Sequence, residues 1–192
     1  GNRFRIIAGQ HRGRRLRFPD VPGLRPSPDR VRETLFNWLG PAVRDARCLD
    51  LFAGSGALGL EALSRGAGFV TFVDRSTAAI AAIDGHLTAL GAGAGAATLV
   101  ATAEQALARQ AHPCDIVFLD PPFADNALER LCTLLAERGV VRPGGLVYLE
   151  HAVDAPPALP ADFEPWRRSC AGRVAFQLVR AGASGRGEGD DA

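Results

Sequence analysis

No lysine occurs in the 192 residues, so every basic side chain other than histidine is an arginine. Four cysteines are present, at 48, 114, 132 and 170, but they form no C-x-x-C pair and have no histidine at metal-ligand spacing. That scatter argues against a metal or a dithiol redox centre. It leaves Cys48, Cys114, Cys132 and Cys170 as reduced thiols packed in the core of a cytosolic protein. No apolar run reaches the length that spans a bilayer, and the arginines near the start are not followed by an apolar signal core. A soluble, cytoplasmic protein with no membrane contact is expected. No segment repeats, which argues against a solenoid. His11, His86, His112 and His151 have no catalytic partner in the sequence, and His151, which follows a strand end, reads as structural.

What is present suits one folded domain: the length is right, and 47% of the residues are apolar. The net charge of +1 conceals an asymmetry. Eleven of the 22 arginines precede Cys48, against Asp20, Asp29, Glu33 and Asp45, an excess of about seven positive charges. An arginine-loaded front end on a neutral remainder suits a polyanionic partner. Arg12, Arg14, Arg15 and Arg17 crowd one short segment, and their guanidinium forks match phosphate oxygens.

The run from Cys48 to Gly59, CLDLFAGSGALG, is apolar, ends in an acid and then breaks into glycines. It predicts a buried strand, a turn whose backbone N–H groups a ligand can approach, and a helix. Gly54, Gly56 and Gly59 fit the G-x-G-x-x-G spacing of dinucleotide-binding folds, with Asp74 as the candidate ribose acid. This stretch alone does not separate a nicotinamide cofactor from S-adenosylmethionine.

Around it the chain reads as follows. Residues 3–18 predict a small arginine-studded β-hairpin turning around Gly9 and Gly13. Val31, Leu35, Trp38 and Leu39 mark a helix that starts after Ser27-Pro28 and stops at Gly40-Pro41. Strands are predicted at 47–52, 68–73, 97–101, 115–119 and 145–150, with helices at 57–65, 77–90, 103–109 and 127–137 between them. Residues 163–170 and 173–179 form an antiparallel hairpin. The fold class is therefore α/β, with a mainly parallel seven-stranded sheet covered by helices, a C-terminal antiparallel hairpin and an N-terminal β-hairpin extension. The expected divisions are an arginine-rich hairpin and loop (1–27), the α/β domain (28–181) and a disordered acidic tail (182–192). Ligands should gather at the carboxyl ends of the strands, where Asp50, Asp74 and Asp120 lie. Trp38 and Trp166 read as packing residues.

Asp120-Pro121-Pro122-Phe123 follows a strand directly. Two prolines make a rigid bend whose carbonyls are fixed acceptors, Asp120 adds a carboxylate, and Phe123 adds a flat face. Together they suit an exocyclic amino group on an aromatic base, with acceptors for its hydrogens and a ring to stack upon. A hydride-transfer enzyme has no use for such a group.

The tetrapeptide has the form of the [DNS]-P-P-[YFW] motif of S-adenosylmethionine-dependent amino methyltransferases. Together with RIIAG at 5–9, LRPSPDRVRETLFNWL at 24–39 and the glycine turn, it resembles the RsmD family of bacterial small-subunit ribosomal RNA methyltransferases. The R-P-[ST]-x-D-R-V-R-E segment is the specific part, and the likeness spans nearly the whole chain apart from the tail. The resemblance implies a Rossmann-like class I methyltransferase that moves a methyl group from S-adenosylmethionine to N2 of a guanine in 16S rRNA, on an assembled or assembling small subunit. It implies catalytic Asp120, Pro121, Pro122 and Phe123. It places the methionine end of the cofactor on Asp50, Phe52, Ala53, Gly54, Ser55 and Gly56, the ribose on Asp74 with Arg75 and Ser76 along the rim, and the adenine at Ala103 and Glu104. Arg12, Arg14, Arg15, Arg17, Arg25 and Arg30 are the expected RNA contacts, with Arg32 either joining them or pairing with Asp29 or Glu33 on the helix surface. Asp120, with an ordinary carboxylate pKa, should mainly position the amine. A monomer suffices. The alternatives are an adenine-N6 or cytosine-N4 methyltransferase, a non-catalytic RNA-binding assembly factor and, more remotely, a nicotinamide oxidoreductase.

Overall fold

A strand that is apolar on both faces needs cover on both faces, and a chain that alternates such strands with helices obtains it from a parallel sheet between helical layers. The computed structural model describes residues 2–122 and 127–182. Its elements are β1 (Arg3–Arg5), β2 (Arg15–Arg17), α1 (Asp29–Leu39), β3 (Arg47–Asp50), α2 (Ala57–Ser64), β4 (Phe69–Asp74), α3 (Thr77–Leu90), β5 (Ala96–Val100), α4 (Ala103–Arg109), β6 (Cys114–Leu119), α5 (Leu128–Glu137), β7 (Val141–Ala152), β8 (Phe163–Ala171) and β9 (Val174–Ala181). The main sheet runs β5-β4-β3-β6-β7-β9-β8. Its first five strands are parallel, and β9 pairs antiparallel with both β7 and β8. No helix among the described residues is long and apolar enough to cross a membrane.

Two apolar layers follow from strand alternation. Cys48, Phe72, Phe118 and Tyr148 face α1, α2 and α3, meeting Leu35, Phe36, Leu60 and Ile83. Leu49, Val73, Val117 and Leu149 face α4 and α5, meeting Leu107, Leu131 and Leu135. Each large side chain buried this way contributes about 1.5–3 kcal/mol. Trp38 stacks on Phe176 with ring centroids 5.3 Å apart, and Trp166 lies under the guanidinium groups of Arg167 and Arg180.

Several boundaries differ from the sequence expectation. β3 ends at Asp50 rather than 52, because Leu51 and Phe52 already turn. The backbone there still bonds both neighbours, from Leu51 N to Phe118 O (3.2 Å) and from Ala53 N to Val73 O (2.9 Å). β7 starts four residues early, since Val141 pairs with Cys114 ahead of an irregularity that carries the exposed Pro143. Cys170 is exposed on β8, so only Cys48, Cys114 and Cys132 are core thiols. Burial pushes those three thiols up and keeps them protonated. Positions 183–192 lie outside the described residues, and the expectation of a disordered tail falls there.

The arginine-rich hairpin forms as expected, with Arg3 opposite Arg17, Phe4 opposite Leu16 and Arg5 opposite Arg15. Period-two alternation sends Phe4 and Leu16 into the core and all four arginines outward. The hairpin is joined to the sheet through Glu61 on α2, which is fully buried. The Glu61 carboxylate accepts from Ile7 N (2.7 Å), Ala8 N (3.1 Å), Arg65 Nε (2.9 Å) and Arg32 (3.4 Å). Arg32 is therefore not a surface residue. It is fully buried, pairs with Asp29 at 2.6 Å, and donates to the carbonyls of Arg5 and Ser27. A guanidinium so enclosed has no face left for RNA, so of the two readings of Arg32 the ion pair with Asp29 holds, though the arginine is buried rather than on the helix surface.

Replacing Glu61 with alanine leaves the Arg32 guanidinium buried with one partner fewer and two backbone N–H groups unpaired. A loss of about 3–5 kcal/mol is expected, which lowers Tm on the order of 10 °C. Thermal unfolding measures the loss, and limited proteolysis within the first 18 residues reports release of the hairpin. An unchanged Tm would contradict the role given to Glu61.

Candidate active site

Four acids stand at the carboxyl ends of four adjacent strands: Asp74 on β4, Asp50 on β3, Asp120 just after β6 and Glu150 on β7. The register fixes their relative heights. Asp50 lies opposite Phe72 and Phe118, so Asp74 and Asp120 each rise two residues beyond it. Leu119 pairs with Leu149, so Asp120 stands beside Glu150. By strand alternation all four share the face that α1 covers. The central strand thus stops short between taller neighbours. The notch lies where the chain order reverses between β3 and β6, the place where open parallel sheets bind ligands.

The glycine turn forms the floor of the notch. Gly54 adopts φ 53°, a left-handed conformation that glycine takes without strain. A Cβ there would meet nothing closer than 3.8 Å, so its outer side is open. Gly59 has a different reason to be glycine: a Cβ would lie 2.3 Å from the Phe72 ring, so it lets α2 close onto β4. Its spacing imitates a dinucleotide motif, but its work is packing. Gly59 N also donates to Asp50 Oδ2 at 3.2 Å. Asp74 braces the turn, with Oδ2 accepting from Gly54 N (2.9 Å) and Oδ1 from Ser76 N (2.8 Å).

The other expected cofactor residues lie on the same rim. Phe52 is half-buried, while Ala53, Ser55 and Gly56 are buried within the turn. Arg75 is exposed. Ser76 caps α3, its hydroxyl accepting from Ala79 N at 3.1 Å. Thr102 caps α4 in a reciprocal bond with Gln105, placing Ala103 in the core and Glu104 at the surface edge. The Glu104 carboxylate pairs with Arg130, and its own backbone N–H and that arginine hold it below its usual range.

Across the notch, Asp120 and Glu150 stand level with each other on neighbouring strands. Glu150 Oε1 accepts from Ser27 Oγ (3.1 Å) and from the Tyr148 hydroxyl. Burial pushes the Asp120 carboxyl well above the usual range, with the charge and hydrogen bond of Glu150 and then the charge of Asp50 adding to the shift. The ordinary pKa assumed from sequence is thereby corrected. Burial also pushes Asp50 up to about 7, with the charge of Asp74 adding and the Gly59 N–H opposing. A cavity of about 340 Å³ opens beside this pair, between Pro121, Pro122, Leu128, Glu150 and Pro156. Phe123 lies outside the described residues.

Arg12, Arg14, Arg15, Arg17, Arg25 and Arg30 are all exposed. Among the described residues none of the six has an ion-pair partner. Sequence reasoning misses Glu150, Ser27 and Tyr148. A signal for Glu150 exists, because LVYLE repeats the pattern of CLD, FVD and VFLD, an apolar run closed by an acid.

The family described as Conserved hypothetical protein 95 matches residues 4–180. The chain belongs to this family. Among its relatives, the Ribosomal RNA small subunit methyltransferase D of Escherichia coli is 46% identical over 188 residues, 97% of this chain and 94% of that protein. The protein of the same name from Haemophilus influenzae is 40% identical over 179 residues, 92% and 93% of the two chains. The solved structure of the Escherichia coli protein yhhF superimposes with a TM-score of 0.88 at 46% identity, covering 95% of this chain and 99% of that one. The resemblance seen in the sequence motifs is therefore one of family.

An acid whose pKa rises on folding stabilises the protein below its unfolded value, and that contribution is lost as pH climbs through the folded value. For Asp50 the window runs from about pH 4 to about pH 7. Asp50→Asn should remove a slope on the order of 4 kcal/mol across it. Thermal unfolding of wild type and variant at pH 5 and pH 8 tests this. The variant should gain on wild type at the higher pH, and an equal difference at both would mean that Asp50 is already ionised at pH 5.

Proposed function

We propose that the chain transfers the methyl group of S-adenosylmethionine to the exocyclic N2 of a guanine in 16S rRNA, within an assembled or assembling small subunit. The observation that carries the reading is Asp120-Pro121-Pro122 standing at the rim of a glycine-floored notch at the sheet's reversal point. The names of the close relatives support it, as does the exposed arginine face. The protein acts as a monomer in the cytoplasm, and the particle supplies the recognition that the hairpin lacks.

The residues of the notch fit the cofactor. Asp50 is a buried carboxylate with no cation paired to it among the described residues, and a positively charged methionine end answers that need. Phe52, Ala53, Gly54, Ser55 and Gly56 would line this end, with Gly54 presenting its open side. Asp74, already oriented by two backbone N–H groups, keeps lone pairs for ribose hydroxyls. Arg75 and Ser76 would border the ribose, and Ala103 and Glu104 the adenine. When bound, the cofactor supplies a methyl group activated by its sulfonium.

The rest falls to the chain. A guanine N2 lone pair is delocalised into the ring and attacks poorly. Hydrogen bonds from N2 to the Asp120 carboxylate and the Pro121 carbonyl draw that lone pair out of conjugation and hold it in line. Asp120 then takes the departing proton. Its raised pKa makes it a better base near neutrality than an ordinary carboxylate. Phe123 would stack on the base.

Radiolabelled methyl transfer to undermethylated small subunits, naked 16S rRNA and DNA, followed by nucleoside analysis, tests the reading. Label should appear as N2-methylguanosine, and label on adenine or cytosine would refute it. Asp120→Ala should lower the rate about 100-fold or more while cofactor affinity stays within a few-fold. With wild type the rate should fall as pH drops through the raised Asp120 pKa, because only the ionised carboxylate can take up the proton that leaves N2. Replacing Arg12, Arg14, Arg15 and Arg17 together with alanine should weaken binding to the subunit and flatten its salt dependence, the log–log slope falling by about one unit for each phosphate that is no longer neutralised. An unaltered slope would remove the hairpin from the RNA interface.

A further inference from the structure

An amine-binding motif does not choose a base, because guanine, adenine and cytosine all carry an exocyclic amino group. They differ at the adjoining ring nitrogen. Guanine sets an N1–H donor beside its amine, whereas adenine and cytosine set a lone pair there. A second acceptor next to Asp120 therefore favours guanine and repels the other two.

Glu150 stands in that place. The pairing of Leu119 with Leu149 puts it level with Asp120 on the neighbouring strand, with both side chains on the same face of the sheet. It lines the cavity together with Pro121 and Pro122. Its orientation is fixed from one side only: Ser27 Oγ and the Tyr148 hydroxyl both donate to Oε1, and among the described residues no donor reaches Oε2. Ser27 belongs to the segment that leads into α1. That segment is thereby given work at the base pocket.

Building on the methyltransferase reading above, we propose that Glu150 selects guanine by accepting its N1–H while Asp120 accepts from N2, with Ser27 and Tyr148 holding the Glu150 carboxylate in position. Two acceptors side by side match two donors side by side. A base with a lone pair at the ring nitrogen meets a carboxylate instead of a partner.

The test uses small subunits assembled from 16S rRNA that carries either guanine or 2-aminopurine at the methylated position. 2-Aminopurine keeps the amine and replaces N1–H with a lone pair. Wild type should prefer guanine by about 100-fold or more in kcat/KM. Glu150→Gln offers an amide that can donate to the ring nitrogen. It should lose guanine activity by a similar factor and bring the two substrates to within about 10-fold of each other, with cofactor affinity unchanged. A purely structural Glu150 would lower both rates together and leave their ratio intact, which overturns the proposal. So does a wild type that methylates both bases equally, a result that holds even if the variant does not fold. Failure of wild type to methylate guanine at all would instead overturn the function, and this proposal with it.

Discussion

The Glu61 carboxylate is the point at which three separate stretches of chain meet. It closes the N–H groups of Ile7 and Ala8 in the hairpin, receives Arg32 from α1 and Arg65 from its own helix, and lies fully buried. A buried ion pair gives little net stability when compared with apolar packing, but removing one partner is severe. Its effect here is on placement. The arginine face, the Ser27 segment and the glycine turn at the start of α2 are held in one frame, so a polyanion seated on the hairpin lies at a fixed distance from the notch.

The second constraint is electrostatic. Four carboxyl groups gather at one sheet edge, with no basic side chain paired to Asp50, Asp74, Asp120 or Glu150 among the described residues. Backbone N–H groups, two hydroxyls and raised pKa values relieve the crowding. A cationic cofactor on one side and N–H donors of a base on the other would relieve it further. The site is built short of positive charge and is completed by what it binds.

Much of this is legible in sequence. Helices α3 and α4 fall on their expected residues because Ser76 and the Thr102–Gln105 pair cap them. The parallel sheet is legible because both faces of its strands are apolar. Other features depend on partners far away in the chain. Arg32 looks like a surface cation on an amphipathic helix, and only Glu61, 29 residues on, explains its burial. The end of β3 is set by bonds to β4 and β6 that no local pattern carries. Asp120 is marked by its prolines, but its altered basicity comes from burial and from Glu150 on the adjacent strand.

The antiparallel hairpin at the end of the sheet also matters for the molecule among its neighbours. An outermost strand offers a row of free backbone groups to any other chain. Here that strand is β8, whose pairing breaks between Pro165 and Arg167 and whose Glu164, Arg167 and Arg168 are exposed. Proline contributes no N–H, the break bends the strand, and three charges resist burial against another apolar edge. The sheet thereby has an outer margin on which a stray strand finds little to extend.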